Sequence, residues 1–251
     1  MSKYQGSGRK VKETFEKYLN QITCGDSYKL IKELPDKSVD CIYTDIPYLY
    51  CNGGNGHSEL SVRTARKKLE LKNISNGIDY TILDEFRRIL KKVNIFIWCS
   101  KMQLLDIMNW AGKYNTDLLV WCKTNPTPQT NNIWLPDLEY CVYIRETGVQ
   151  LNDGYELKSK FYVSPANKGD KDLFSHPTIK PLELVKRHLL HATQPNDIVL
   201  DCFIGSGTTA VACKETGRQF IGFEIEPKWV KVANDRLNKT DANGQISMIL
   251  R

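Results

Sequence analysis

The segment that most restricts the possible folds of this chain spans residues 198–210, where an apolar strand pattern leads into a glycine-rich turn and a helix pattern. Gly205 and Gly207 allow the backbone to turn sharply and to approach a ligand without an intervening side chain. The helix predicted to begin at Thr208 offers free N–H groups to an anionic group. The next predicted strand ends about 20 residues further on, at Glu224, whose carboxylate can accept hydrogen bonds from ribose hydroxyls. Together these features predict a site for a cofactor that contains a nucleoside.

Strand and helix patterns alternate along the rest of the chain. We predict strands at 22–24, 39–44, 93–98, 117–121, 138–144, 197–201 and 219–224, and helices at 28–34, 79–90, 102–110, 181–190, 208–216 and 227–237. Strands that alternate with helices form mainly parallel sheets with helices on both faces. The sequence therefore predicts an α/β fold with a doubly wound, mainly parallel sheet.

A second candidate site follows the predicted strand 39–44. Asp45, Pro47 and Tyr48 bring a carboxylate, a proline and an aromatic ring together at the carboxyl end of this strand. Open α/β sheets bind their ligands at the carboxyl ends of the strands. Aspartate and proline are also common in plain turns, so a structural turn is the alternative for this segment taken alone.

The composition restricts where the protein works and what it binds. Among 251 residues there is no apolar run near the roughly 20 residues of a membrane-spanning helix, and the polar, basic start is unlike a secretory signal. The eight cysteines have no Cys-x-x-Cys spacing and most lie in apolar runs, which indicates reduced thiols in a cytoplasmic protein, and we predict no metal site. The net charge of +6 fits a polyanionic partner, although a solvated basic surface would explain it as well.

The glycine turn alone is compatible with two classes of enzyme. Gly205-x-Gly207-x-x-Ala210 satisfies the dinucleotide-binding fingerprint, with an acidic residue at the expected distance, so a dehydrogenase is one candidate. Against it, the motif lies near the C-terminus, where little chain remains for further nucleotide-binding units. Asp201 and Phe203, just ahead of the glycines, suit a different ligand.

Three motifs together resemble the amino-methyltransferases of DNA. Residues 201–209 (DCFIGSGTT) resemble their S-adenosylmethionine motif, and residues 45–48 (DIPY) resemble their catalytic Asp-Pro-Pro-Tyr motif. Residues 176–181 (HPTIKP) resemble the segment that precedes the cofactor motif. The catalytic motif comes first and the cofactor motif last, which is the order of the β class. The resemblance covers about residues 22–238 and implies the Rossmann-like fold of S-adenosylmethionine-dependent methyltransferases, with a seven-stranded sheet.

The resemblance also implies which residues hold the cofactor. Gly205 and Gly207 would approach the amino-acid moiety of S-adenosylmethionine, Phe203 would pack beside it, and Glu224 would hold the ribose. Asp26 resembles the residue that contacts the adenine, although capping of the following helix would explain it as well. The other predicted cofactor residues are Thr178 and Lys180, near the methionine end, and Asp201, Ser206 and Thr208 in the motif itself.

The catalytic residues implied by the resemblance are Asp45, Ile46, Pro47 and Tyr48. The Asp45 carboxylate and the Ile46 carbonyl would accept hydrogen bonds from an exocyclic amine, and Tyr48 would stack on an extruded base. The chain departs from the family at Ile46, where proline is usual, so we expect a less rigid turn. Residues 125–128 and Glu139 resemble the segment that flanks the base pocket.

The implied activity is site-specific transfer of a methyl group from S-adenosylmethionine to N6 of adenine in double-stranded DNA, with base flipping, as in restriction-modification systems. Asp45 favours adenine, because members that methylate N4 of cytosine commonly carry serine at this position. Methylation of cytosine N4 or of RNA is the nearest alternative. A non-catalytic nucleic-acid-binding subunit is the alternative from another class, and the intact residues of the catalytic motif argue against it.

We predict one catalytic domain at 21–238, preceded by a flexible basic arm at 1–20 and followed by a tail at 239–251. Two irregular segments, 49–77 and 146–175, are the candidates for DNA recognition, and their small size suggests short target sites or a homodimer. Residues 63–72 contain five basic residues against one acidic residue and are expected to close over DNA. The predicted DNA-binding residues are Arg63, Arg66, Lys67, Lys68 and Asn125.

Overall fold

The computed structural model of the chain describes residues 15–49, 77–128, 134–166 and 179–240. Within these ranges the strands are β1 (Gln21–Cys24), β2 (Cys41–Asp45), β3 (Asn94–Cys99), β4 (Asn115–Lys123), β5 (Leu138–Arg145), β6 (Phe161–Ser164), β7 (Ile198–Asp201) and β8 (Gln219–Glu224). The α-helices are α1 (Ser27–Leu30), α2 (Ile82–Ile89), α3 (Leu104–Ala111), α4 (Leu182–Ala192), α5 (Thr208–Glu215) and α6 (Pro227–Lys239). No helix in the described part of the chain combines the length and apolar composition of a membrane span.

All eight strands form one sheet, in the order β1-β8-β7-β2-β3-β5-β4-β6. β5 is antiparallel to β3 and β4, and every other neighbouring pair is parallel. The predicted doubly wound, mainly parallel α/β fold is therefore confirmed, with eight strands instead of seven. The additional strand, β6, lies inside the segment 146–175 that was expected to be irregular, and its four residues pair with β4 at the edge of the sheet. So short a strand carries too few residues for a recognisable period.

β2 occupies the position in the sheet where the order of the strands reverses. β7 flanks it on one side and β3 on the other, with Ile42 opposite Leu200 and Asp45 opposite Trp98. In doubly wound sheets the connections diverge at such a position and leave a crevice at the carboxyl ends of the strands. Both predicted motifs begin at this crevice, one after β2 and the other after β7.

Two apolar cores cover the two faces of the sheet. Along β3, Ile95 and Ile97 belong to the core that contains residues of α2 and α3, whereas Phe96 and Trp98 belong to the core that contains residues of α4, α5 and α6. Successive residues of a strand point to opposite faces, so a strand buried on both faces is apolar throughout. This is why β3 reads as a continuous apolar run in the sequence.

Residues 15–20 belong to this packed structure. The buried ring of Tyr18 meets Phe223 edge-on, with 5.7 Å between the ring centroids. The hydroxyl of Tyr18 donates a hydrogen bond to Glu33 at 2.7 Å. The prediction of a flexible arm at 1–20 is therefore wrong for 15–20, because an aromatic side chain anchors this stretch to the core, and residues 1–14 lie outside the described residues.

Candidate active site

The two predicted motifs lie side by side at the carboxyl ends of β2 and β7. The hydroxyl of Thr44 donates a hydrogen bond to Oδ1 of Asp201 at 3.0 Å, across a sequence separation of 157 residues. Thr44 directly precedes the catalytic motif, and Asp201 begins the cofactor motif. A methyl donor at one motif and a methyl acceptor at the other would therefore meet in a single crevice.

The carboxylate of Asp201 shapes the glycine turn. In addition to the Thr44 hydroxyl, it accepts hydrogen bonds from the Phe203 backbone N–H at 3.1 Å and the Thr209 hydroxyl at 2.6 Å. Burial raises the pKa of Asp201 to about 7, and these three hydrogen bonds oppose the rise. Asp201 thus has its side chain engaged inside the protein, and its predicted contact with the cofactor stays a prediction.

The turn itself requires glycine at two positions. Gly205 and Gly207 have positive φ angles, 50° and 81°, which residues with a side chain rarely adopt. A Cβ atom on Gly207 would also lie 2.9 Å from Cβ of Ala233 on α6. The glycines therefore permit the turn and the close approach of α6 at the same time.

The hydroxyls of Ser206 and Thr208 face a buried arginine. Nη1 of Arg236 on α6 donates to Oγ1 of Thr208 at 2.8 Å and to Oγ of Ser206 at 3.4 Å. These hydroxyls therefore help attach the turn to α6. Both residues were predicted to contact the cofactor, and that contact stays a prediction.

Glu224 ends β8 beside the glycine turn. Its Oε2 accepts the Gly205 backbone N–H at 3.0 Å, and its Oε1 accepts the Glu226 backbone N–H at 2.9 Å. Burial raises the pKa of Glu224, and backbone hydrogen bonds from Glu226, Gly205 and Ile225 oppose this shift. Since the two carboxylate oxygens can together accept four hydrogen bonds, the carboxylate retains capacity for a ribose hydroxyl. The carboxylate is thus oriented by the backbone and fits its predicted role.

Asp26 lies at the carboxyl end of β1, the strand next to β8. It accepts the Tyr28 backbone N–H at 3.0 Å, which confirms that it caps α1. Asp26, Tyr28 and Asp79 line part of a cavity of about 360 Å³. The ring of Phe203 meets Tyr28 edge-on at 6.5 Å. Tyr28 supplies an aromatic ring and Asp26 a hydrogen-bond acceptor to a cavity whose volume accommodates a nucleobase, and the adenine contact of Asp26 stays a prediction.

The catalytic motif leaves the sheet under two backbone constraints. The Ile46 N–H donates to the Trp98 carbonyl at 3.1 Å, a bond that the proline usual in the family could not make. The fully buried Gln103 donates from Nε2 to the Pro47 carbonyl at 3.0 Å and accepts the Leu49 N–H at 3.2 Å. The loss of rigidity expected at Ile46 is therefore offset by hydrogen bonds on both sides of the turn.

The two carboxylate oxygens of Asp45 have different surroundings. Oδ2 accepts a hydrogen bond from Nζ of Lys180 at 2.6 Å. Oδ1 is buried and has no hydrogen-bond partner among the described residues. Burial raises the pKa of Asp45, Lys180 opposes the rise, and Glu139 adds to it. Asp45 therefore presents one unused acceptor oxygen at the strand end.

Lys180 lies between two carboxylates. Besides Asp45, its Nζ contacts Oε2 of Glu139 at 2.9 Å and the hydroxyl of Tyr48 at 3.1 Å. Glu139 in turn contacts Lys123 at 2.6 Å. Lys180 was expected near the methionine end of the cofactor, but its ammonium group is paired with the carboxylate of Asp45. Glu139 accepts a hydrogen bond from the Tyr48 hydroxyl at 3.4 Å, and its expected place beside the base pocket stays a prediction.

Most of the predicted DNA-binding residues lie in parts of the chain that the structure does not describe. Arg63, Arg66, Lys67 and Lys68, like the predicted cofactor residue Thr178, lie outside the described residues. Asn125 is exposed, and its Oδ1 accepts the backbone N–H of Ala166 at 2.5 Å. Its side chain therefore connects two surface segments, and a role in DNA binding stays a prediction.

Sequence patterns did not identify several residues that organise the site. Thr44, Thr209 and Gln103 form hydrogen bonds to residues of the two motifs, and Lys123 forms an ion pair with Glu139. Sequence reasoning could have identified Thr209, because it belongs to the cofactor motif and a hydroxyl in the first turn of a helix can approach a nearby carboxylate. Thr44 and Lys123 occupy strand positions and Gln103 directly precedes α3, and none of these positions carries a local signal.

Comparisons with known proteins agree with this geometry. The sequence profile of a family described as DNA methylase matches residues 39–235, which include both motifs. The chain is 31% identical over 252 residues to the type II methyltransferase M2.LlaDCHI of Lactococcus lactis subsp. cremoris, with 91% of this chain and 93% of that protein covered. It is 30% identical to the type II methyltransferase M2.DpnII of Streptococcus pneumoniae, with 84% and 87% covered.

Solved structures share the fold. The M1.HpyAVI complex with S-adenosylmethionine superimposes with a TM-score of 0.65 at 26% identity, covering 87% of this chain and 98% of that chain. The cytosine-N4-specific PvuII DNA methyltransferase superimposes with a TM-score of 0.63 at 16% identity, covering 85% and 84%, and shows the common fold. The chain therefore belongs to the DNA methylase family, as an S-adenosylmethionine-dependent DNA amino-methyltransferase of the β class.

Proposed function

We propose that the protein methylates N6 of adenine at specific sites in double-stranded DNA, acting on a base that is extruded from the duplex. The observation that carries the proposal is the buried Oδ1 of Asp45, which lacks a hydrogen-bond partner among the described residues. A buried acceptor costs free energy unless a donor satisfies it. The exocyclic amine of a base is such a donor, and Asp45 stands at the strand end where ligands of this fold bind.

The residues around Asp45 can orient this amine for reaction. An exocyclic amine is a weak nucleophile because its lone pair is delocalised into the ring. Asp45 Oδ1 and the Ile46 carbonyl would accept its N–H groups and favour the pyramidal nitrogen on which positive charge develops. Tyr48 offers a ring face for the extruded base, and the hydrogen bond from Lys180 to its hydroxyl restrains that ring.

The cofactor residues fit the other half of the reaction. S-adenosylmethionine supplies the electrophilic methyl group when bound, and the protein contributes position and electrostatics. Glu224 has hydrogen-bonding capacity for the ribose, and the turn at Gly205 and Gly207 brings backbone close to the ligand. The cavity lined by Asp26 and Tyr28 has room for the adenine of the cofactor, and the ring of Phe203 packs edge-on against Tyr28.

Methylation of N4 of cytosine is the second candidate, because a cytosine amine presents the same pair of N–H donors to Asp45. A methyltransferase with this specificity shares the fold. Adenine is favoured by Asp45 itself, since by the family resemblance N4-cytosine enzymes commonly carry serine there.

The substrate and setting follow from the relatives. Two of them are named type II methyltransferases and come from bacteria, which supports double-stranded DNA as substrate, a restriction-modification role and a cytoplasmic location. We retain a single catalytic domain that ends near 238, with its start moved from 21 to 15 because Tyr18 packs in the core, and with 49–77 and 146–175 as its recognition segments. Because these segments are short, the target site would be short or shared by two copies in a homodimer.

The identity of the methylated base is determined by digesting DNA that the purified protein has methylated and analysing the nucleosides by mass spectrometry. N6-methyladenine is the expected product, and Asp45→Ala should yield none. Exclusive formation of N4-methylcytosine would reverse the base assignment and leave the class intact. Absence of any methylated nucleoside with a range of unmethylated DNAs would overturn the proposal in favour of a non-catalytic subunit.

A further inference from the structure

Four charged side chains form a row of alternating sign that ends at the catalytic carboxylate. Lys123 on β4 contacts Glu139 on β5 at 2.6 Å, Glu139 contacts Lys180 at 2.9 Å, and Lys180 contacts Asp45 on β2 at 2.6 Å. Lys180 is 7% exposed at its side chain, and Glu139 is 17% exposed. The side chain of Asp45 is 28% exposed, so the row runs from the crevice into the protein. Charges held largely away from solvent attract one another and are costly to leave unpaired. A row of this kind therefore belongs to the structure of the candidate active site and is not a chance contact at the surface.

Lys180 contacts only one of the two carboxylate oxygens of Asp45. Its ammonium occupies Oδ2 and leaves Oδ1 without a partner among the described residues. Burial alone would lower the pKa of Lys180, but Asp45 and Glu139 raise it, so the ammonium stays charged. Lys180 therefore fixes the rotation of the carboxylate, favours its ionised form and leaves its other oxygen for the amine.

A cation beside Asp45 has a cost during methyl transfer, because positive charge develops on the attacking nitrogen. Glu139 offsets this cost. Burial opposes its ionisation, yet Lys180 and Lys123 outweigh burial and lower the pKa of Glu139 to about 2. With Glu139 charged, the four side chains of the row together carry no net charge, whereas without Glu139 they would carry one net positive charge. The electrostatic field at the amine then does not oppose the positive charge that develops on its nitrogen, although a lysine contacts the acceptor carboxylate.

We propose that Lys180 is a positioning residue for methyl transfer, which holds Asp45 ionised and correctly rotated, and that Glu139 compensates the charge of Lys180. The inference rests on the role of Asp45 in the proposed function. It does not depend on whether adenine or cytosine is the substrate, because both amines meet the same carboxylate oxygen.

The groups that face Asp45 determine what its titration should show. They are Lys180 before α4, Tyr48 in the same loop, Tyr43 on β2, Glu139 and Cys141 on β5, Cys99 on β3 and Asp201 on β7. Only Lys180 is a cation, so its removal should raise the pKa of Asp45. Glu139 is an anion that raises this pKa, so its removal should lower it. The two partners of one ion pair should thus shift the titration in opposite directions.

The test is the pH dependence of single-turnover transfer of labelled methyl groups from S-adenosylmethionine to DNA, measured for wild type, Lys180→Met and Glu139→Gln. Activity requires ionised Asp45 and falls as the pH drops through its pKa. Lys180→Met should move this acidic limb to higher pH by about 1–3 units. Glu139→Gln should move it to lower pH and reduce the plateau rate by about tenfold or more, because the charge of Lys180 is then uncompensated.

Lys123→Met is the matched control, since Lys123 also contacts Glu139 but has no described contact with Asp45. It should shift the acidic limb less than Lys180→Met does. Affinity for S-adenosylmethionine, measured by calorimetry, should be nearly unchanged in Lys180→Met and Glu139→Gln, which also shows that these variants fold.

Three outcomes would overturn the inference. They are a uniform loss of rate in Lys180→Met without a shift of the limb, shifts of the same sign in Lys180→Met and Glu139→Gln, and a large loss of cofactor affinity in Lys180→Met. The last would return Lys180 to the cofactor site. The labelled-methyl assay counts either base, so an incorrect adenine assignment would leave this test valid.

Discussion

Replacing Ile46 by proline would introduce the residue usual in the family, yet we expect it to destabilise this protein. The backbone N–H of Ile46 donates to the Trp98 carbonyl at 3.1 Å, and proline has no N–H to offer. Losing this bond, with Trp98 buried, costs about 1–3 kcal/mol in the free energy of unfolding. The substitution therefore acts on the connection between β2 and β3, directly beneath the catalytic turn.

Side-chain packing adds to this cost. Ile46 is 1% exposed and belongs to the core on the face of α2 and α3. Replacing it by the smaller proline ring removes packing worth about 1–2 kcal/mol. The reduced entropy of the unfolded chain returns only about 0.4–1 kcal/mol. The net loss in the free energy of unfolding is about 1–5 kcal/mol.

Urea unfolding followed by tryptophan fluorescence measures this loss as a lower midpoint at an unchanged slope. Ile46→Val is the matched control, because it keeps the N–H and removes one methyl group, for a cost of about 0.5–1.5 kcal/mol. If Ile46→Pro were as stable as wild type, or more stable than Ile46→Val, the hydrogen bond to Trp98 would contribute nothing and the reasoning would be refuted.

Three further predictions concern the amine, the cofactor and DNA. Asp45→Ala should abolish methyl transfer and leave the calorimetric affinity for S-adenosylmethionine nearly intact; near-normal turnover would remove Asp45 from the mechanism. Glu224→Ala should weaken cofactor binding by about 1–3 kcal/mol, because the ribose loses a charged acceptor, and an unchanged Kd would contradict that role. Replacing Arg66, Lys67 and Lys68 with alanine should reduce the salt slope of DNA binding by up to about 2–3, since each phosphate contact contributes about 0.9. An unchanged slope in a salt titration would show that these three basic residues do not contact DNA phosphates and are simply solvated.

Most strands and helices of the fold follow from local sequence patterns. β8 coincides with the predicted strand at 219–224, α5 begins at the predicted Thr208, and β3 lies within one residue of the predicted 93–98. The spacing of apolar residues in a strand or helix, the residues that start a helix and the residues that form a turn all lie within a few positions of one another. Such features can therefore be recognised without the tertiary structure. β6 escaped recognition because a strand of four residues at a sheet edge carries little of this signal.

The two motifs were recognisable for the same reason. The chemistry of 45–48 and 201–208 is contiguous in the sequence, and each motif occupies one turn after one buried strand. The positive φ angles of Gly205 and Gly207 agree with the backbone freedom that glycine predicts. Where a side chain and its partner belong to the same turn, as in the capping of α1 by Asp26, sequence reasoning also identified the contact.

Only the tertiary structure decided which distant groups meet at the site. Strand pairing brings Thr44 to Asp201 across 157 residues, and the start of α4 brings Lys180 to Asp45 across 135 residues. A lysine expected beside the cofactor thereby becomes the partner of the catalytic carboxylate. Such contacts depend on the order of strands in the sheet and on mutual attraction between buried charges. Neither the strand order nor this attraction produces a local pattern that can be recognised in the sequence.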